Sequence, residues 1–194
     1  MIAVVTGGKL TEKKSIDVEG AALFYNDKLI GFVDSEDTAY LRILKNKMQD
    51  GYFDFTMDNG NVSCLIRDAK AEHEPVIEDG KLVMDVKFTA GYEVMGQNGE
   101  VNVSDKAVLG KLTETIKNEM EKRIGDVAKA IQSEFGTDVF GFGAAVKKKM
   151  PEIFKTLDWD EYFKDIEIRV TADIKEPKDD DQYPSIVNLT EKER

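Results

Sequence analysis

Two glycines flanking a phenylalanine, Gly141-Phe142-Gly143, form the segment of this chain that most resembles a binding loop. Glycines let a backbone approach phosphate closely at the N-terminus of a helix, which is how nucleotide loops work. A dinucleotide loop, however, follows a strand and carries a third small residue, whereas this segment follows a long helical pattern. No Lys-Ser or Lys-Thr pair completes a P-loop. The pattern therefore favours a structural turn in which Phe140 and Phe142 fill the core.

The single histidine and the single cysteine are further candidates for metal binding or nucleophilic chemistry. His73 lies between Glu72 and Glu74, but neighbouring residues of a strand point to opposite faces, which is poor geometry for a shared metal or a proton-transfer site. We expect a surface histidine. Cys64 shares its strand parity with the apolar residues two positions away on either side, which is typical of a small buried side chain rather than a reactive thiol. One Cys and one His cannot complete a zinc site.

Acidic residues cluster in three places, and paired carboxylates can hydrolyse glycosides or hold a divalent ion. The clusters are Glu36-Asp37, Asp158 with Asp160 and Glu161, and residues 179–181. The first two lie where predicted helices begin, and negative charge is favourable there because of the helix dipole. No serine lies in a Gly-x-Ser-x-Gly context. The sequence therefore predicts no enzymatic activity, no catalytic residue, no cofactor and no metal site.

The composition is that of an ordinary soluble globular protein, with 41% hydrophobic and 34% charged residues in a chain of 194. This length suits one domain, which can bury on the order of 70% of its unfolded surface. No apolar run approaches the ~20 residues that a bilayer crossing needs. The net charge of -11 opposes nucleic-acid binding, because phosphate contacts require a basic surface. The same charge should repel an anionic membrane.

Alternation of apolar and polar residues predicts the strands. Hairpin signals stand at Asn59-Gly60 and Asp79-Gly80. Apolar residues thin out over residues 68–75, so we expect that stretch to project or twist at a sheet edge. The predicted strands cover residues 15–25, 29–33, 52–57, 61–77, 82–90 and 166–174, the last with the most regular alternation.

Apolar residues at spacings of three and four predict two amphipathic helices. The first runs from about residue 36 to 49, with Asp34 or Ser35 as its cap. The dominant helix runs from about Asp105 to Phe135, with Ser104 as its cap. One or two short helices should follow before the last strand.

These elements predict an α+β fold, namely a mainly antiparallel sheet of at least four strands with the long helix packed on one face and several shorter helices. Residues 1–176 should form a single domain. The acidic, aperiodic residues 177–194 should form a largely disordered tail.

Several segments together resemble a known family. The clearest is the run from Thr137 to Val146, which continues through Met150 to Phe154 and Asp158 to Glu167. Their order resembles the C-terminal signature of the Ger(x)C family, the lipoprotein C subunits of bacterial spore germinant receptors. In that family an Asp-Ile-Phe-Gly-Phe-Gly segment leads into a short helix, a Pro and an aromatic, then a Trp-Asp-Glu-x-Phe turn and a final strand. The residues carrying this structural signature here are Asp138, Phe140, Gly141, Phe142, Gly143 and Trp159.

A second block, from Val18 to Gly31 and from Leu41 to Lys47, is also similar to the family. The agreement in order and spacing extends over about residues 16–175. Three positions depart from the common pattern, with Ala144 in place of Glu, Phe154 in place of Trp and Lys164 in place of Pro. These changes are typical of tolerated framework substitutions.

The resemblance implies a non-enzymatic domain of a nutrient germinant receptor that scaffolds or relays through contacts with membrane-embedded A and B subunits. It also implies that the natural protein is anchored by an upstream lipid at the outer leaflet of the spore inner membrane, while this domain itself stays out of the bilayer. An alternative function is a small-ligand binding module with a pocket between the long helix and the sheet. A hydrolase has less support from the motifs.

Overall fold

The computed structural model describes residues 20–177, which fold into two sheets, one long helix and four shorter helices. The predicted start of the first strand, before Gly20, and the predicted tail beyond Pro177 lie outside the described residues. The strands are β1 (Gly20–Tyr25), β2 (Lys28–Asp34), β3 (Gly51–Met57), β4 (Gly60–Glu78), β5 (Lys81–Gln97) and β6 (Glu167–Lys175). The helices are α1 (Ser35–Leu44), α2 (Lys106–Phe135), α3 (Phe142–Lys149), α4 (Pro151–Thr156) and α5 (Trp159–Tyr162).

The main sheet has the strand order β3-β4-β5-β6, and β1 pairs with β2 in a separate two-stranded sheet. The predicted α+β class, the sheet of at least four strands and the long helix on one face are confirmed. The pairs β3-β4 and β4-β5 are antiparallel, whereas β6 lies parallel to β5. The main sheet is therefore mixed, because the chain returns to it through the long helical connection that a parallel pair requires.

The tight turns follow the Gly, Asn and Asp signals, with one shift. Asp79 and Gly80 both have positive φ, of 50° and 76°, as the predicted hairpin needs. Between β3 and β4 the turn lies one residue earlier than predicted, because Gly60 already pairs with Met57. Gly60 is required for another reason, since a Cβ there would lie 2.1 Å from the carbonyl oxygen of Asn98.

The stretch 68–75 does reach a sheet edge. The register of β4 shifts between Arg67 and Lys70, and Asp68 takes a left-handed conformation with φ 53°. Since β3 begins at Gly51, opposite Ile66, the second half of β4 pairs with β5 alone. One side of this part of β4 is consequently open to α1 and α3, which pack there.

The helix boundaries differ from the prediction by a few residues. Helix α1 ends at Leu44 rather than near residue 49, because Asn46 turns into the left-handed region with φ 52°. Met48 is nevertheless 3% exposed and belongs to the core. The cap of α2 is Asp105, whose carboxylate accepts the Ala107 N–H, rather than the predicted Ser104.

Helix α2 packs chiefly on β6 and crosses toward β3. Its predicted apolar stripe is buried through the middle of the helix and half-buried at Leu109 and Phe135. Gly125 faces the sheet, but a Cβ there would lie 3.8 Å from Val170, an ordinary contact distance, so the packing does not require glycine at this position. The buried members of the stripe are Leu112, Ile116, Met120, Ile124, Val127 and Ile131.

Strand β1 differs from the predicted half-buried strand. Ala21, Ala22 and Leu23 are all at most 4% exposed, so both faces of this strand are covered. In addition, no helix within residues 20–177 combines the length and the apolar character needed to cross a membrane.

Candidate functional site

The carboxylate of Asp138 is the centre of the segment that the sequence singled out, here called the signature loop (residues 137–143). Its Oδ1 accepts the backbone N–H groups of Phe140, Gly141 and Phe142 at 3.1, 2.9 and 3.1 Å. Its Oδ2 accepts the N–H of Gly143 at 2.7 Å and the indole N–H of Trp159 at 3.1 Å. Five donors therefore converge on one half-buried carboxylate.

The local sequence explains why the loop takes this shape. Gly136 ends α2 in the left-handed conformation, with φ 57° and its N–H bonded to Gln132 O. Gly141 precedes α3 with φ 91°, a conformation that favours glycine, and offers no side chain to cap the helix. Asp138 supplies the missing acceptor from three residues upstream. Its negative charge also lies at the positive end of the α3 dipole.

Gly143 is needed for close packing and not for its backbone conformation. Its φ is outside the left-handed range, whereas that of Gly141 lies within it. A Cβ on Gly143 would instead lie 2.5 Å from Trp159 Nε1. Glycine at this position lets the indole lie against the start of α3 and reach Asp138.

Aromatic rings fill the space beneath the loop. Phe142 is 0% exposed and Phe140 is 4% exposed, with ring centroids 5.0 Å apart. Phe163, also 0% exposed, lies 6.2 Å from Phe140 and 6.5 Å from Phe142. Trp159 extends the cluster, with its ring 6.2 Å from Phe163. The loop thus places its aromatic side chains in the core and its backbone N–H groups on Asp138.

His73 is part of this cluster, so the prediction of a surface histidine is wrong. Its Nε2 lies 2.7 Å from the carbonyl oxygen of Leu44, and since a carbonyl only accepts, Nε2 carries the proton. Its ring meets Phe142 edge-on at 4.8 Å. Burial lowers the pKa of His73 below its ordinary value, with the Leu44 carbonyl opposing this effect. The edge of β4 is covered by α1 and α3, which the alternation within the strand could not reveal.

Two further contacts connect the loop region to the rest of the domain. Lys45, just after α1, donates to the carbonyl oxygen of Val139 at 2.6 Å, and burial lowers its pKa. Tyr25, at the end of β1, donates to Asp160 at 2.7 Å. That hydrogen bond is the main reason that the pKa of Tyr25 is raised. The end of α1 therefore contacts the loop directly, and the two-stranded sheet contacts α5, which packs beside the loop.

Gln132 is a structural residue that the sequence interpretation missed. It is 9% exposed, and its amide donates to the carbonyl oxygens of Phe163 at 2.7 Å and Ile166 at 2.9 Å. This ties α2 to the segment just before β6. The available signal was a glutamine next to the apolar stripe, beside Ile131, where a polar side chain needs a buried partner.

The other candidate residues form no reactive site. Cys64 is fully buried, and burial raises the pKa of its thiol to about 12, which keeps it protonated at neutral pH. Glu36 and Asp37 lie in the first turn of α1 and both pair with Arg123. No cluster of three or more metal-ligating side chains occurs in the described part of the chain.

The second acidic group provides a helix cap and a hydrogen-bond acceptor. Asp158 caps α5 by accepting the N–H of Glu161, and Asp160 accepts the Tyr25 hydroxyl. Residues 179–181, the last predicted acidic cluster, lie outside the described residues. The described carboxylates of these clusters are thus engaged in helix caps and ion pairs.

Comparison with known proteins gives consistent relatives. A family model described as Spore germination B3/GerAC like, C-terminal, matches residues 19–175. Spore germination protein B3 of Bacillus subtilis (strain 168) is 25% identical over 169 residues, which cover 84% of this chain and 45% of that protein. Spore germination protein YndF of the same organism is 22% identical over 167 residues, covering 82% and 41%. The chain spans less than half the length of these curated relatives.

The fold also has a solved relative. The crystal structure of the GerBC protein superposes with a TM-score of 0.74 and 22% identity, over 86% of this chain and 54% of that one. The likeness concerns the fold, and it extends over nearly all of the described residues.

Proposed function

This chain belongs to the family of spore germination B3/GerAC-like C-terminal domains, and from that premise we propose that it acts in spore germination as part of a receptor C subunit. The domain is non-enzymatic and works through contacts with the membrane-embedded A and B subunits. Its role is to scaffold the complex or to relay a change between its subunits.

The saturated carboxylate of Asp138 is the observation that best supports this proposal. Its two oxygens accept five hydrogen bonds from the protein itself, so little lone-pair capacity is left for a substrate or an ion. Because the Asp138 carboxylate is used in hydrogen bonds within the protein, this loop has a structural role, which fits a protein-contact domain better than a catalytic centre. The proposed framework residues are Asp138, Phe140, Gly141, Phe142, Gly143 and Trp159.

The packing between helix and sheet favours this role over a small-ligand binding module. The middle of the α2 stripe is buried against the sheet, and Leu112, Ile116 and Ile124 are each 0% exposed. A groove of about 750 Å³ does exist beside α2, but it lies at the edge of the sheet. Its lining is largely charged and includes Lys129, Lys164 and Asp165. Ligand pockets are lined mainly by apolar and aromatic side chains.

The membrane contact, in this proposal, is supplied by a lipid anchor upstream of this domain and by the A and B subunits. The chain has a net charge of -11, and each basic group near an anionic leaflet contributes only about 1 kcal/mol of attraction. This domain therefore lies in the aqueous layer at the outer face of the spore inner membrane.

Site-specific photocrosslinking in spores tests the proposal. The full-length subunit would carry a photoreactive residue at Phe32, which is 60% exposed on β2, or at Tyr52, which is 73% exposed on β3. Exposed aromatic side chains of this kind are enriched where proteins meet. The matched control replaces Lys111, an exposed polar residue of α2.

Adducts with a membrane subunit from Phe32 or Tyr52, absent in spores that lack the A and B subunits, are the expected result. The proposal is wrong if neither position gives such an adduct and deletion of residues 20–177 leaves nutrient germination unchanged.

A further inference from the structure

Strand β6 forms an open edge of the main sheet in the described part of the chain. Its partner β5 lies on one side, and the N–H of Ala172 points away from β5, since it donates to Glu121 of α2 at 2.8 Å. Backbone groups of a strand alternate in direction, so those of Ile168, Val170 and Ile174 face the same open side. Among the described residues of β6, Ala172 is the one whose backbone N–H donates to a side chain.

The side chains on the outer face of β6 carry an alternating charge pattern. In order they are Glu167, Arg169, Thr171, Asp173 and Lys175, all exposed except the half-exposed Arg169. The pattern is antisymmetric about Thr171. If the strand is turned end for end around this residue, Glu167 faces Lys175 and Arg169 faces Asp173.

We propose that β6 is a self-association surface on which two copies of this chain pair their β6 strands antiparallel around a two-fold axis at Thr171. The two main sheets then join into one, and four ion pairs form across the junction, two of each kind. Such isologous contacts are how most homodimers close. The proposal goes beyond the receptor role, because it concerns contacts between two copies of the C subunit.

The backbone phase fits this register. Val170 and Ala172 face each other across the axis, and both present their backbone groups to the open side, so they form a hydrogen-bonded pair. Ile168 and Ile174 form the next one. Thr171 faces its own copy as a non-hydrogen-bonded pair, in which Cα atoms lie about 4.5 Å apart.

The charges also discriminate between registers. Moving the axis by two residues places Asp173 opposite Asp173, or Arg169 opposite Arg169. Moving it by one residue places Glu167 opposite Asp173, or Arg169 opposite Lys175. Like charges directly opposite one another destabilise a strand pair, so among these registers only the one centred on Thr171 avoids them.

Arg169 and Glu121 set the conditions for pairing. Arg169 already donates three N–H groups, one to Asp85 at 2.7 Å and two to Glu78 at 2.7 and 2.8 Å. A guanidinium has five, so two remain for Asp173 of the second copy. Glu121 must leave the Ala172 N–H before that group can join the new ladder. While Glu121 accepts the Ala172 N–H, it blocks this group from pairing with another strand, which limits unwanted strand pairing at the edge.

Disulfide trapping of the purified chain tests the geometry. Thr171→Cys places two thiols opposite each other at a Cα separation within the range that a disulfide accepts. Asp173→Cys is the matched control on the same exposed face, because its two copies would lie about 14 Å apart, four residues along the strand. Cys64 is 0% exposed in the protein, so it should not take part in the cross-link of either variant.

Under mild oxidation at equal concentration, Thr171→Cys should form the linked dimer roughly tenfold faster than Asp173→Cys. Adding Ala172→Pro, which removes an edge N–H but none of the ladder to β5, should abolish this difference. Equal rates for the two cysteine variants, or a difference that survives Ala172→Pro, would overturn the proposal.

A charge exchange gives an independent measurement by sedimentation equilibrium. Lys175→Glu turns two symmetry-related pairs repulsive and should weaken association roughly tenfold. Adding Glu167→Lys restores both pairs and should restore association, whereas Lys111→Glu on α2 should change nothing. Glu121→Ala should raise the dimer fraction. Failure of the double variant to recover would refute the register. Since this assay needs no membrane subunit, its failure leaves the proposed function standing.

Discussion

Removing the carboxylate of Asp138 is expected to destabilise the domain far more than removing any ordinary helix cap. Asp138→Ala leaves four backbone N–H groups and the indole N–H of Trp159 without their acceptor. The Gly141 N–H can turn to water, but those of Phe142 and Gly143 belong to buried residues. Each buried unsatisfied donor costs about 1–3 kcal/mol, so the expected loss in free energy of unfolding is about 4 kcal/mol.

The matched control is Asp34→Ala, which removes an N-cap carboxylate that accepts one backbone N–H, from Asp37 at 2.8 Å. An exposed cap of this kind contributes about 1 kcal/mol. Asp138→Asn is an intermediate case, because its amide can keep the three bonds to one oxygen but presents a donor to Gly143 and Trp159. About half of the full loss is expected for it.

Urea and thermal unfolding measure these differences. For a domain of this size 1 kcal/mol corresponds to roughly 2–4 °C in Tm, so Asp138→Ala should melt roughly 8–16 °C below the parent and Asp34→Ala roughly 2–4 °C below it. Trp159 is the only tryptophan, and its emission reports on the loop directly. If Asp138→Ala costs no more than Asp34→Ala, the five bonds do not stabilise the loop and the reasoning is wrong.

Three further outcomes are expected. Gly143→Ala should change the Trp159 emission and cost about 1–3 kcal/mol, because the added methyl group meets the indole, whereas Gly141→Ala should cost about 1–2 kcal/mol through its positive φ and leave the emission unchanged. Burial lowers the folded-state pKa of His73, so as the pH falls the unfolded chain becomes protonated at this residue at a higher pH than the folded protein does. Stability should therefore fall as the pH drops below about 6.5 and level off below the folded-state pKa, and a His73→Gln variant should lack this fall; an unchanged profile would contradict it. Cys64 should react with a thiol reagent only as fast as the protein unfolds, and rapid labelling of the native state would contradict its burial.

The sequence predicted the elements well wherever one periodicity ran for many residues. The stripe of α2 and the alternation of β5 are local patterns, and burial follows them in the structure. The parallel placement of β6 could not be predicted in the same way. Strand direction depends on where the connection lets the chain return, and the alternation of β6 is compatible with either direction.

The loop chemistry was only partly predictable. The two glycines indicate a tight turn, but which of them needs positive φ and which needs close contact depends on Trp159, 16 residues beyond Gly143 in sequence. His73 was predicted to lie at the surface because its position between two glutamates on a strand gives poor geometry for a site, yet α1 and α3 cover the side of β4 on which it lies. Both features depend on contacts between residues that are distant in sequence.

Helix α2 connects the signature loop to the open edge of β6 through side-chain hydrogen bonds. At its C-terminal end, α2 holds the segment before β6, since Gln132 donates to the carbonyl oxygens of Phe163 and Ile166. Near its middle, Glu121 holds the N–H of Ala172 within the strand. Phe163 in turn packs against the rings of the loop. The loop and α2 therefore position the start of β6 and the N–H of Ala172, so the proposed pairing edge should be sensitive to substitutions at residues outside β6.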